Sequence, residues 1–91
     1  MKIDHRKLKI MLQLRIVSPE KVEYDGAVEC VLVPGTMGQF EILNDHAPII
    51  STLQKGVVEY ATKEGKTSVD ILGGFVEVQK NVVSLCVELA E

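Results

Sequence analysis

Apolar and polar side chains alternate one for one through most of this 91-residue chain, and Gly, Pro, Asn and Asp break the alternation again and again. A period of two belongs to a strand, whose side chains point by turns to opposite faces; a helix would need a period near 3.6. Ile10, Leu12, Leu14 and Ile16 share one face of a first strand, with Met11, Gln13, Arg15 and Val17 on the other. Ser18-Pro19-Glu20 ends it, because Pro cannot donate to the ladder. Lys21 to Tyr24 reads as a short second strand, closed by the tight-turn dipeptide Asp25-Gly26. In Ala27 to Val33, the spacing places Val28, Cys30 and Leu32 on one face, with Glu29 among valines on the other.

The rest of the chain repeats the pattern. Pro34-Gly35 turns it, Gly38 adds a flexible point, and Gln39 to Leu43 is followed by Asn44-Asp45. His46-Ala47-Pro48 leaves extended, since a residue before Pro is pushed out of the helical region. Ile49 to Leu53 is a short strand stopped near Gly56. Val57 to Thr62 and Lys66 to Leu72 form a hairpin over Lys63-Glu64-Gly65. Gly73-Gly74 permits a kink or a close backbone approach, and Phe75 to Gln79 pairs with Val82 to Leu89 across Lys80-Asn81. Nine or ten short strands without a helical period specify an all-β fold, a β-sandwich or small barrel.

Length allows a single domain over residues 1–91, with one modest core. Only two Phe and two Tyr are present and no Trp, while Val occurs thirteen times, so aliphatic side chains on strands must fill that core. A net charge of −3 argues against a nucleic-acid partner, which asks for a basic face. No run of eighteen apolar residues is present, so no direct membrane insertion is expected. The start imitates a signal peptide, but Gln13 and Arg15 interrupt its apolar part, and it reads as mature protein. Residues 1–9 form an N-terminal extension with a basic run, Lys2, Arg6, Lys7 and Lys9. Cys30 and Cys86 sit inside apolar runs, which points to reduced core thiols and a cytosolic face.

Val33 to Pro48, VPGTMGQFEILNDHAP, is the most distinctive stretch. It reads as a shaped loop on a β-scaffold, meant to be touched by another protein. No cofactor loop has this arrangement, so no cofactor is expected. Ile42 and Leu43 are either the apolar centre of a protruding edge or core residues of a strand. Asp45 beside His46 invites a general base or a metal ligand. Catalysis would need a nucleophile or substrate held nearby, and zinc would need two further ligands. A small ligand-binding sandwich or hydrolase using Asp45, His46 and a nearby Ser or Thr is therefore the alternative function. A third reading is an adaptor that takes a peptide at an open strand edge.

Taken in order, Leu14-Arg15-Ile16-Val17-Ser18-Pro19-Glu20, Gly26 with Val28-Glu29, Pro34-Gly35-Thr36, Gly38, Phe40 and His46-Ala47-Pro48 carry a family resemblance. Leu53, Gly56-Val57-Val58 and Gly73-Gly74-Phe75-Val76-Glu77-Val78 continue it to Ala90-Glu91. From about residue 11 to 91 the chain resembles the amino-terminal domain of the epsilon subunit of F-type ATP synthases. The resemblance implies a flattened sandwich of about ten short, mostly antiparallel strands in the central rotor stalk. It implies two partners, the gamma subunit and the ring of c subunits, at the cytoplasmic face of a bacterial inner membrane, and no catalysis by the chain itself. Gln39, Phe40, Ile42, Leu43, Asp45 and His46 would form the ring-facing loop. Ser18, Glu20, His46, Ala47, Pro48, Ile49, Ile50, Gly73, Gly74, Phe75 and Glu77 would face gamma. Glu41 departs from the family's usual Gly after Phe40. Epsilon subunits usually continue into a helical hairpin; it lies outside these 91 residues, so its restraint of hydrolysis and its ATP binding in some members are not expected of them.

Overall fold

The computed structural model describes residues 11–90. Eight strands are present: β1 (Leu12–Val17), β2 (Val22–Val28), β3 (Cys30–Gly35), β4 (Gly38–Ile42), β5 (Ile49–Leu53), β6 (Gly56–Thr62), β7 (Gly65–Gln79) and β8 (Val82–Leu89). They form one hydrogen-bonded sheet in the order β2-β1-β8-β7-β5-β3-β4, with β6 joining β3 and β7. Every pairing is antiparallel except that of β1 with β8.

β7 organises the molecule. Its first half, Gly65 to Ile71, pairs with β6, and its second half, Gly74 to Val78, pairs with β5 along the same edge. The partners advance one for one from Ile49 opposite Val78 to Thr62 opposite Gly65, so β5 and β6 act as one strand broken at Gln54-Lys55. On the other edge, the register with β8 shifts between Ile71 and Gly73. Such a bulge bends a strand sharply. At this bend the sheet folds over itself. The first half of β7 lies in a layer with β3, β4 and β6, and the second half in a layer with β1, β2, β5 and β8. Leu12, Leu14, Ile16, Val83, Leu85, Val76 and Val78 point inward from one layer; Val31, Val33, Ile42, Val58 and Ile71 meet them from the other. Tyr24 of β2 and Tyr60 of β6 close one end, with ring centroids 4.5 Å apart.

Several expectations need correction. The long strand accounts for a count of eight rather than nine or ten. Gly73-Gly74 does not end a strand, because Gly74 at φ +150 carries the chain through the bulge. A Cβ there would collide with the Cys86 carbonyl oxygen and lie 2.8 Å from Val87 Cα. The close backbone approach that this glycine permits is thus that of β8. Asp25-Gly26 is not a turn either, for both residues lie in β2, opposite Arg15 and Leu14. Gly26 is bare because the Tyr24 ring lies over it; a Cβ would meet the Tyr24 hydroxyl at 2.9 Å. The turn falls earlier, at Ser18 to Lys21, where Ser18 N–H donates to the Lys21 carbonyl at 2.9 Å.

Glu29 separates β2 from β3 and resets the alternation. Val28 is buried with Val31 and Val33, while Cys30 and Leu32 turn outward. Neither cysteine belongs to the core; both are half-buried on the outer surface. Leu12, Leu14 and Ile16 hold the inward face expected of them. Ile10 and the extension over residues 1–9 lie outside the described residues.

Candidate interaction surface

The alternation that sends Leu14, Ile16, Val83, Leu85, Val76 and Val78 inward sends their neighbours outward onto a second surface. Its rows follow from the strand registers. Val17 lies beside Cys86, Cys86 beside Phe75, and Phe75 beside Thr52. In the next row Arg15, Ser84, Glu77 and Ile50 stand side by side. Gln13, Val82 and Gln79 form a third. This face is unusually apolar for one turned to solvent: Phe75 is 45% exposed, Ile50 73% and Val82 44%. A broad open hollow of ≈ 650 Å³ runs over it, between Val17, Pro19, Gly73, Phe75, Cys86 and Glu88. Arg15 and Glu77 in the middle row, and Glu88 beyond the first row, border the Val17–Cys86–Phe75 row on its two sides. An apolar centre with a polar rim is the composition of a surface that another protein covers.

Residues placed on this face by the sequence reading divide into contacts and supports. Phe75, Glu77 and Ile50 project outward; Gly73 and Gly74 form the floor beside them. Phe75 is not a buried core aromatic, because Val76 and Val78 occupy the inward positions of that half-strand. Ser18 is only 7% exposed, and its hydroxyl is used locally: it donates to Glu23 Oε2 at 2.9 Å and accepts the Lys21 N–H at 3.3 Å. Glu20 is exposed in the adjoining turn, and Ile49 leans on the core.

The loop from Leu43 to Pro48 lies at the end of the sandwich. Ile42 is fully buried, so as a water-excluding contact it is corrected to a core residue; β4 ends with it facing in, opposite Val31. Leu43, the next residue, turns out and is 51% exposed. Gln39 is exposed on β4, and Phe40 packs half-buried against the core, its ring 6.4 Å from that of His46. Asp45 takes the left-handed conformation at φ 65. Its N–H donates to Asn81 Oδ1 at 2.6 Å, and Asn81 Nδ2 donates to Asp45 Oδ1 at 3.2 Å. His46 N–H donates to the Leu43 carbonyl at 3.1 Å, and His46 Nδ1 donates to the Ala47 carbonyl at 2.8 Å. Ala47 and Pro48 are exposed. The Asp45 carboxylate is thus engaged by Asn81 and Asn44 rather than by His46, and the base-and-orienter pair of a hydrolytic site is not assembled.

The sequence reading passed over Val17, Val82 and Cys86, which the strand alternation could have supplied once Val83, Leu85 and Val87 were assigned inward. It also passed over Asn81, read only as a turn residue, and Met37, which stands 97% exposed at the tip of the β3–β4 hairpin.

The opposite outer face, on β3, β4, β6 and the first half of β7, has another chemistry. Leu32 lies between Glu41 and Glu59, Cys30 beside Ala61, and Lys66 beside Ala61 in turn. Burial, then a hydrogen bond to Glu41 and the charges of Glu41 and Glu29, push the Cys30 thiol up from its ordinary value, against an opposing pull from Lys66.

Residues 11–91 match the family model for the ATP synthase delta/epsilon chain β-sandwich domain. The ATP synthase epsilon chain of Leptospira borgpetersenii serovar Hardjo-bovis is 43% identical over 74 residues, which is 81% of this chain and 58% of that one. The epsilon chain of a Synechococcus species is 34% identical over 82 residues, 90% of this chain and 59% of its own. The chain therefore spans a little under three fifths of the length of these relatives. The fold is similar to that of a chain in a structure of the Euglena gracilis mitochondrial ATP synthase, with a TM-score of 0.81 at 21% identity, over 87% of this chain and 51% of that one. A chain in a structure of the Tetrahymena thermophila enzyme's central stalk and c-ring gives 0.73 at 17%, over 88% and 65%. By its matched residues and these relatives, this chain belongs to the ATP synthase delta/epsilon chain β-sandwich family.

Proposed function

We propose that the chain is a non-catalytic element of the central stalk of an F-type ATP synthase, at the cytoplasmic face of a bacterial inner membrane. Its apolar outer face, centred on Phe75, docks on the gamma subunit. Its Leu43–Pro48 loop, including Ala47 and Pro48 that the sequence reading gave to gamma, rests on the polar loops of the c-subunit ring together with Gln39 of β4. Ion-driven rotation of the ring is passed to gamma, and ATP synthesis follows on other subunits. The chain's part is mechanical: a closed sandwich resists shear because many ladder hydrogen bonds must break together.

The observation that carries this reading is the contiguous apolar row Val17, Cys86 and Phe75 on one outer face, with Ile50, 73% exposed, beside it. Family membership supports the choice of partners: the relatives named above are ATP synthase epsilon chains, and the Tetrahymena neighbour comes from a structure of a central stalk with its c-ring. Calorimetric titration with purified gamma subunit from the same organism tests the reading. A one-to-one complex is expected. Phe75→Ala should weaken it by about tenfold or more while the chain stays folded, as truncating a central aromatic does at other interfaces. A folded wild-type chain that shows no heat of binding overturns the proposal.

A further inference from the structure

Asn81 and Asp45 lie 36 positions apart, in two different turns, and each holds the left-handed conformation, at φ 62 and φ 65. For Asn81 the conformation is explained by the hairpin. Lys80-Asn81 is a two-residue turn with both φ values positive, a conformation Asn tolerates and for which Gly is the favoured second residue. The turn does not explain what the side chain does. Asn81 Oδ1 accepts the Asp45 N–H at 2.6 Å, and Asn81 Nδ2 donates to Asp45 Oδ1 at 3.2 Å. Its main-chain carbonyl accepts Gln13 N–H at 2.9 Å, just before β1 passes along β8. An unbroken hydrogen-bonded line thus runs from β1 through Asn81 to Asp45, and from there the chain passes through His46 and Pro48 into β5.

We infer that Asn81 is a positioning residue, a latch that fixes the Leu43–Pro48 loop in one orientation relative to the β1-β8-β7-β5 face. The inference builds on the proposed function, in which these are the ring-facing and gamma-facing surfaces. Held by the latch, the two surfaces turn as one body. Without it, the loop's left-handed Asp45 loses the partner of its N–H and relaxes, and the ring-facing contacts disperse while the gamma-facing strands stay paired.

The test separates the turn from the latch. Asn81→Gly keeps the left-handed turn and removes both side-chain bonds. Asn81→Asp places two carboxylates together, and the swap Asp45→Asn with Asn81→Asp keeps an oxygen acceptor for the residue-45 N–H and rebuilds the side-chain bond in reverse, residue 45 now donating to residue 81. In the full chain, amide hydrogen exchange at residue 45 should quicken by about tenfold in Asn81→Gly and Asn81→Asp and return towards wild type in the swap. In Asn81→Gly, affinity for gamma alone should change less than about twofold, while affinity for a purified gamma–c-ring assembly should fall about tenfold. Unchanged exchange at residue 45 in Asn81→Gly, or no rescue by the swap, overturns the latch. Altered exchange with unchanged affinity for the assembly overturns its role in coupling. A wild-type chain that binds neither partner defeats the proposed function instead, and the exchange data still decide whether the latch exists.

Discussion

The two outer faces of this sandwich come from strands of similar make, and they differ in what alternation leaves exposed. On β3, β4, β6 and the first half of β7 the outward positions carry Glu41, Glu59, Lys66, Ser68 and Asp70, with half-buried Cys30, Leu32 and Ala61 among them and Val57 and Leu72 close to the bend. That is the ordinary outside of an antiparallel sheet, solvated by charge. On β1, β2, β8, the second half of β7 and β5 the outward positions carry Val17, Val82, Cys86, Phe75 and Ile50, with charge at Arg15, Asp25, Glu77 and Glu88. The same strand, β7, contributes to both. Water tolerates the first face indefinitely; the second becomes favourable when covered. On the proposed reading, the contrast teaches how a docking surface is written into a sheet without any special loop, by leaving apolar residues at positions where solvent would ask for polar ones.

The contrast can be broken most severely at the bend where the faces meet. Gly74→Ala puts a Cβ into the Cys86 carbonyl at a φ that L residues rarely adopt. The expected loss is at least ~3 kcal/mol of stability, and a melting temperature lower by roughly 10–20 °C, read by thermal unfolding. A charge on the apolar face comes next. Ile50→Asp, already 73% exposed, should leave the melting temperature close to wild type. Its affinity for gamma should fall by about tenfold, measured by calorimetry.

Smaller effects sharpen the other side. The Cys30 thiol, held protonated by burial and by Glu41, should alkylate more slowly at pH 8 than an unstructured cysteine. The sign follows from the raised pKa: less thiolate is present until the pH climbs past the shifted value. Glu41→Gln removes the second of these causes, so the rate of iodoacetamide labelling should rise. Least of all, Lys66→Gln on the charged face should change stability by less than about 0.5 kcal/mol and leave gamma affinity unaltered.

Much of this architecture is legible in the chain because a period of two leaves little choice. The inward set Leu12, Leu14 and Ile16, and the hairpin at Lys80-Asn81, follow from alternation and turn chemistry alone. Gly74 is bare to admit the β8 backbone, the close approach its sequence suggests, whereas Gly26 misleads because it is bare to admit the Tyr24 ring. A glycine of that kind looks like a turn until its neighbour is known. Cys30 misleads through the phase of the alternation, which Glu29 resets between β2 and β3, and Cys86 because it takes the outward position between inward Leu85 and Val87. Ile42 and Leu43 differ by one position at the end of β4, and the last inward slot falls to Ile42. The pairing of Asn81 with Asp45 joins residues far apart in sequence, and no local pattern announces it.

The central claim, that the Phe75-centred face is the one gamma covers, is tested most directly by hydrogen exchange of the chain with and without purified gamma. Added gamma should slow exchange in Val82–Glu88, Gly73–Glu77 and Ile49–Thr52, and leave Cys30–Leu32 and Glu59–Ser68 as they were. Slowing confined to the charged face, with the Phe75 face unchanged, would contradict the account.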